Sequence, residues 1–161
     1  MKLTRIMICL FILTVPIFNL TSNFAYANSG DKILPQTNGK AVILMDAKTG
    51  RVLYEENSHL QLPPASLTKI MTAFLVVENG DLGQIVNVSE YAAQTPECTV
   101  YLEPNEKLTR MALLYSAMLP SANDASVALA ESIAGTEAAF IEIMNKRAQE
   151  LGLKNTRFQN T

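Results

Sequence analysis

The stretch Pro63-Pro64-Ala65-Ser66-Leu67-Thr68-Lys69-Ile70-Met71-Thr72-Ala73-Phe74-Leu75-Val76-Val77-Glu78-Asn79-Gly80 decides how this chain is read. From Leu67 to Asn79 the apolar residues Ile70, Met71, Ala73, Phe74, Leu75, Val76 and Val77 fall on almost every face of a helix. A helix apolar all round is expected to be buried on all sides, and Gly80 suits a left-handed C-cap. Ser66 and Lys69 stand where the prolines meet this helix. Three apart, they share a helix face, so the hydroxyl and the amine can meet. Burial disfavours an ammonium and makes a neutral amine available as a base, and a serine without a base is a poor nucleophile. The plainer reading of Ser66 is an N-cap. The Ser-x-x-Lys pattern is weak by itself: Ser29-Gly30-Asp31-Lys32 also matches, in a polar leader, and is given no role.

Upstream, Ala41-Val42-Ile43-Leu44-Met45 reads as a buried strand. Asp46 to Gly50 reads as a turn and Arg51 to Tyr54 as a returning strand, together a β-hairpin. Downstream, Ile85 to Val88 and Thr99 to Leu102 are candidate short strands, and Asn105 a turn residue. The last third is helical. Thr109 caps a helix running to Met118 and stopped by Pro120, Asn123 to Ile133 forms a second that closes at Gly135, and Thr136 caps a third. On that third helix Phe140, Met144, Ala148 and Leu151 share one face before Gly152. The order is strand pair, buried helix, helical lobe: an α/β fold.

Composition narrows the class without choosing within it. The chain has 161 residues, 48% hydrophobic and 17% charged, with a net charge of −2. That allows one domain with a core and gives no basic footprint for nucleic acid. Lys2 and Arg5, an apolar run from Ile6 to Leu20, and Ala25-Tyr26-Ala27 have the layout of a signal peptide. Cleavage near Ala27, and hence an exported, extracytoplasmic protein with its domain over residues 28–161, is the expectation; the alternative is an N-terminal membrane anchor. Cleavage would remove Cys9 and leave Cys98 alone, without an internal disulfide partner. Cys98 has no His close by in sequence and reads as structural. The single histidine, His59, lies in a polar stretch and reads as a surface residue. One histidine and no His/Cys/Asp cluster give no metal site, and no glycine-rich phosphate loop is present, so no cofactor is expected.

A second signal lies 55 residues after Ser66: Ser121-Ala122-Asn123, the only Ser-x-Asn in the chain. A hydroxyl and a carboxamide on a short loop can pass a proton and orient both a lysine and a substrate; either residue could instead be a helix cap. Ser-x-x-Lys and Ser-x-Asn at two helix starts form the pattern of penicillin-binding proteins and β-lactamases. Pro64-Ala65-Ser66-Leu67-Thr68-Lys69-Ile70-Met71-Thr72 resembles the nucleophile segment of the low-molecular-mass D-Ala-D-Ala carboxypeptidases, peptidase family S11. Leu113-Leu114-Tyr115 leading into Ser121-Ala122-Asn123-Asp124-Ala125 resembles their second segment. The likeness continues through Phe140, Met144-Asn145-Lys146, Leu151-Gly152-Leu153, Asn155-Thr156 and Phe158-x-Asn160.

The resemblance implies a β-lactamase/DD-peptidase-like fold, an antiparallel sheet with a helical lobe. It implies Ser66 as nucleophile, Lys69 as base, Ser121 as proton carrier and Asn123 as the orienting amide. The implied substrate is a peptidoglycan stem peptide ending in D-Ala-D-Ala, with β-lactams as acylating inhibitors. A third family element, Lys-Thr/Ser-Gly, is expected on a strand well downstream of Ser-x-Asn and is not within these 161 residues, so the fold is expected to be incomplete at its C-terminal side. Lys48-Thr49-Gly50 precedes Ser66 and is explained by turn chemistry. Two other readings remain. A class A-type β-lactamase would have Asp at position 122 and a Glu-x-x-Leu-Asn loop, whereas this chain has Ala122 and follows Glu150-x-x-Leu153 with Lys154. A non-catalytic envelope protein could keep the front of the fold alone.

Overall fold

The structure, a computed structural model, describes residues 36–161. The signal-peptide reading and the Ser29–Lys32 match lie outside the described residues. Strand β1 (Val42–Met45) pairs antiparallel with β2 (Val52–Glu56), Val42 opposite Glu56 and Leu44 opposite Tyr54. A register slip at Leu44/Met45 sets Met45 against Val52. The expected turn closes the hairpin: Gly50, at φ 72°, donates to the Asp46 carbonyl at 2.9 Å, and the Thr49 amide donates to Asp46 Oδ1 at 2.7 Å. Lys48-Thr49-Gly50 is therefore turn, as its chemistry suggested. The burial expected of the strand is not found. Ile43 and Leu53 are both 52% exposed, because the hairpin pairs with itself and no helix among the described residues packs substantially on it.

Helix α1 (Thr68–Asn79) follows a 3₁₀ turn over Ala65–Leu67. It buries one side, Met71, Thr72, Leu75 and Val76. Ile70, Phe74 and Val77 face outward, so the expectation of burial on all sides is corrected. Gly80 is not a left-handed cap either; its φ of −116° and ψ of 139° are extended. Glycine is needed there for space. A Cβ would lie 2.6 Å from the Val76 carbonyl oxygen and 3.3 Å from Arg110 Nη1.

Strand β3 (Ile85–Asn87) pairs antiparallel with β4 (Lys107–Thr109), so the strands form two separate pairs rather than one sheet. Between them lie the short helix α2 (Glu90–Ala93) and a loop through residue 106. Thr99 to Leu102, expected as a strand, is part of that loop. Its Val100 and Leu102 amides donate to the carboxylate of Asp124 instead of to a neighbouring strand, and Tyr101 has a positive φ of 59°.

The helical third matches its capping signals. Thr109 Oγ accepts from the Ala112 amide at the head of α3 (Arg110–Met118), and Thr136 Oγ accepts from Ala139 at the head of α5 (Glu137–Glu150). Gly135, at φ 81°, closes α4 (Asn123–Ala134) in the left-handed cap that glycine favours. Helix α4 is the centre of the core, buried from Asp124 through Ala130 and packed against α1, α2, α3 and α5. From α5, Phe140, Met144 and Ala148 point into this core, while Leu151, just past the helix end, is 48% exposed and leaves the expected stripe. Asn145 ties down the following segment by a paired contact, Nδ2 donating to the Phe158 carbonyl at 2.9 Å and Oδ1 accepting from the Phe158 amide at 2.8 Å.

Candidate active site

The 3₁₀ turn sets Ser66 at the foot of α1. Neither that turn nor α1 has a side-chain cap, so Ser66 is not an N-cap. Its Oγ instead accepts a hydrogen bond from Ser121 Oγ at 2.8 Å. One turn on, Lys69 is only 5% exposed, and its Nζ donates to Asn123 Oδ1 at 2.7 Å. No hydrogen bond joins Lys69 Nζ to Ser66 Oγ, so the direct meeting expected from helix spacing is replaced by two links to the Ser121–Asn123 turn. Burial pushes the Lys69 amine below its ordinary pKa, and the nearby Cys98 side chain pulls more weakly the other way. A lowered pKa is what a lysine needs to serve as a base.

Ser121-Ala122-Asn123 lies in the tight link between α3 and α4. Ser121 has φ 64°, and Ala122 is fully buried, its amide donating to the Ser116 carbonyl at 3.2 Å. The N-cap of α4 is Ala122 and has no side-chain bond, so neither Ser121 nor Asn123 is spent on capping. Asn123 is held from behind. Its backbone amide donates to the Cys98 carbonyl at 2.7 Å and its Nδ2 donates to the Pro96 carbonyl at 3.2 Å. That leaves Oδ1 aimed at Lys69. Ser66, Lys69 and Ser121 line a cavity of about 430 Å³ together with Ala117 and Met118.

Seven non-glycine residues among those described have positive φ. Two are asparagines, Asn57 and Asn105, a residue that tolerates this region. The other five are Ala65, Glu97, Cys98, Tyr101 and Ser121, and all lie in the three segments that build the cavity and its backing. Such conformations cost roughly 1–2 kcal/mol each and persist only where surrounding contacts hold them.

The four residues expected from the sequence, Ser66, Lys69, Ser121 and Asn123, are thus brought together. Cys98 contributes its carbonyl, with an exposed thiol, and His59 is exposed and apart. Sequence reading missed the carbonyls of Pro96 and Cys98, which carry no sequence signal, and Asp124. The signal for Asp124 was present: a carboxylate heading a run of small and apolar residues that must be buried needs partners of its own.

Known proteins resemble this chain in sequence and fold. Solved DD-peptidases and penicillin-binding proteins superpose on the chain. The D-alanyl-D-alanine carboxypeptidase DacD of Francisella tularensis superposes with a TM-score of 0.73 at 35% identity, covering 78% of this chain and 32% of that one. Penicillin binding protein 5 of Haemophilus influenzae superposes with a TM-score of 0.72 at 34% identity, covering 79% of this chain and 39% of that one. The D-alanyl-D-alanine carboxypeptidase DacF of Bacillus subtilis is 48% identical over 126 residues, 75% of this chain and 32% of that protein. DacC of Escherichia coli is 38% identical over 136 residues, 78% of this chain and 34% of that protein. The family model of the D-alanyl-D-alanine carboxypeptidases, peptidase S11, matches residues 28–161. The chain belongs to that family. It spans about a third of the length of these curated relatives.

Proposed function

We propose that this protein is a serine D-Ala-D-Ala carboxypeptidase acting on peptidoglycan stem peptides through an acyl-enzyme on Ser66. The observation that carries this reading is the pair of hydrogen bonds, Ser121 to Ser66 and Lys69 to Asn123, on one cavity. In the first step neutral Lys69 swings from its resting bond with Asn123 onto Ser66 and takes the hydroxyl proton, and Oγ bonds to the carbonyl carbon between the two terminal D-alanines. Collapse breaks the C–N bond, and the leaving D-alanine amine takes a proton passed from Lys69 through Ser121. Water, deprotonated by the same groups, then cleaves the Ser66 ester and restores the hydroxyl. The Ser66 backbone N–H supplies one oxyanion donor. A β-lactam would acylate the same oxygen.

Export fits this substrate, since stem peptides lie outside the cytoplasm; the support for it is the charged start, apolar run and Ala25-Tyr26-Ala27. The β-lactamase alternative lacks support at Ala122.

Labelled penicillin and mass spectrometry test the proposal on the protein as its own gene encodes it. A long-lived adduct on the peptide bearing Ser66, absent in Ser66→Ala, is expected. Lys69→Ala should slow acylation roughly 10²- to 10⁴-fold, the usual worth of a general base. The rate should rise with pH as Lys69 loses its proton, and burial sets that rise below the ordinary lysine range. An adduct surviving Ser66→Ala sinks the proposal. Rapid penicillin turnover would select the β-lactamase, and no adduct on the intact protein would select the non-catalytic reading.

A further inference from the structure

Asp124 has no part in the chemistry just described, yet it is fully buried one residue after Asn123. Its carboxylate accepts backbone N–H bonds from Val100 at 3.2 Å, from Leu102 at 3.0 Å and from its own neighbour Ala125 at 2.8 Å. The first two anchor the loop that carries Glu97, Cys98 and Tyr101, all at positive φ. The same loop supplies the Pro96 and Cys98 carbonyls that hold the side chain and backbone of Asn123. The connections form a closed ring: Asp124 to residues 100–102, back along the loop to residues 96–98, across to Asn123, and so to Lys69. A backbone with three unfavourable φ values does not keep this shape unaided. The start of α4 suits the anion that holds it, because the helix N-terminus favours negative charge.

We propose that Asp124 is a positioning residue for the site: its carboxylate holds the 96–102 loop so that Asn123 presents Oδ1 to Lys69 and the loop shields Lys69 from water. The placement rests on the observed hydrogen bonds; its catalytic consequence rests on the carboxypeptidase reading above.

Asp124→Asn keeps the size and removes the charge, and one of its two heads cannot accept an N–H. In this variant the loop loosens, Asn123 releases Lys69, and water reaches the amine. Desolvation is the larger influence on Lys69 and the Cys98 thiol the smaller opposing one, so the net movement is upward.

The experiment follows the Lys69 titration by NMR of carbon-labelled lysine, beside penicillin acylation. Asp124→Asn should move the Lys69 midpoint up toward the ordinary lysine range and slow acylation about 10- to 100-fold, as misplacement of a catalytic group does. Phe140→Leu, a core change on α5, should lower the melting temperature and leave both readouts unchanged. An Asp124→Asn protein that is merely less stable, with the Lys69 midpoint and acylation intact, overturns the proposal. Hydrogen exchange on the unsubstituted protein covers the case in which the variant does not fold. The Val100, Leu102 and Asn123 amides should open together; Asn123 remaining protected while the other two exchange freely also overturns it. Failure of the unsubstituted protein to react with penicillin would instead sink the carboxypeptidase reading, leaving the titration and exchange results to judge Asp124.

Discussion

Helix α4 and the β1–β2 hairpin are both built from apolar sequence, yet they end in opposite environments. Val127 to Ala130 on α4 are at most 4% exposed, whereas Ile43, Leu44 and Leu53 on the hairpin are each more than half exposed. In both cases the local pattern dictated the backbone. Capping at Gly135 and the small residues of α4 admit neighbouring helices on every side, while the hairpin satisfies its own backbone hydrogen bonds across one ladder and no helix among the described residues packs substantially on it. Sequence pattern therefore settles conformation near the chain and leaves burial to whatever packs there. The site sits on the α4 side of this divide: three of its four side chains are carried by α4, its entry turn or the helix α1 that packs on it.

The sharpest test of the contrast is truncation at the core. Phe140 is fully buried against α4, so Phe140→Ala should destabilise by about 3–5 kcal/mol, the usual range for a buried aromatic. Urea denaturation measures it, and a loss below about 1 kcal/mol would show that α4 and α5 do not form the tight unit described.

A smaller effect separates two glycines that sequence alone treats alike. Gly80 has the Val76 carbonyl 2.6 Å from where a Cβ would stand, while Gly50 has φ 72° and open space. Gly80→Ala should cost about 1–3 kcal/mol because backbone must move, and Gly50→Ala about 1 kcal/mol from its left-handed conformation alone. A reversed order in the two unfolding midpoints would refute the close-approach account of Gly80.

The same distinction explains what could be read in advance. Thr109, Thr136 and Gly135 were legible because a cap acts within a few residues of itself. Ser66, Lys69, Ser121 and Asn123 were legible because spacing and neighbouring residues mark them together. The Thr99–Leu102 loop and the partners of Asp124 were not, because they are decided by contacts far along the chain. Gly80 was misread because the limit there is room beside the Val76 carbonyl, not a left-handed conformation, whereas the loop and Asp124 are held by each other across 22 to 24 residues. The Ser66–Lys69 contact was read from helix spacing, and it failed for the same reason: Asn123, 54 residues away, takes the amine.

The smallest expected effect is also the one that can break the comparison. Leu53 is 52% exposed on β2. Leu53→Ala should therefore shift stability by about 0.5 kcal/mol or less, as surface substitutions do, and should leave the Phe140→Ala cost unchanged when the two are combined, since distant sites add. The urea midpoints of the two single variants and the double variant check both statements. A loss of about 2 kcal/mol or more at Leu53 would be the signature of a covered side chain. In that case the hairpin is a packed element of the protein like α4, and its apolar sequence was reporting burial after all.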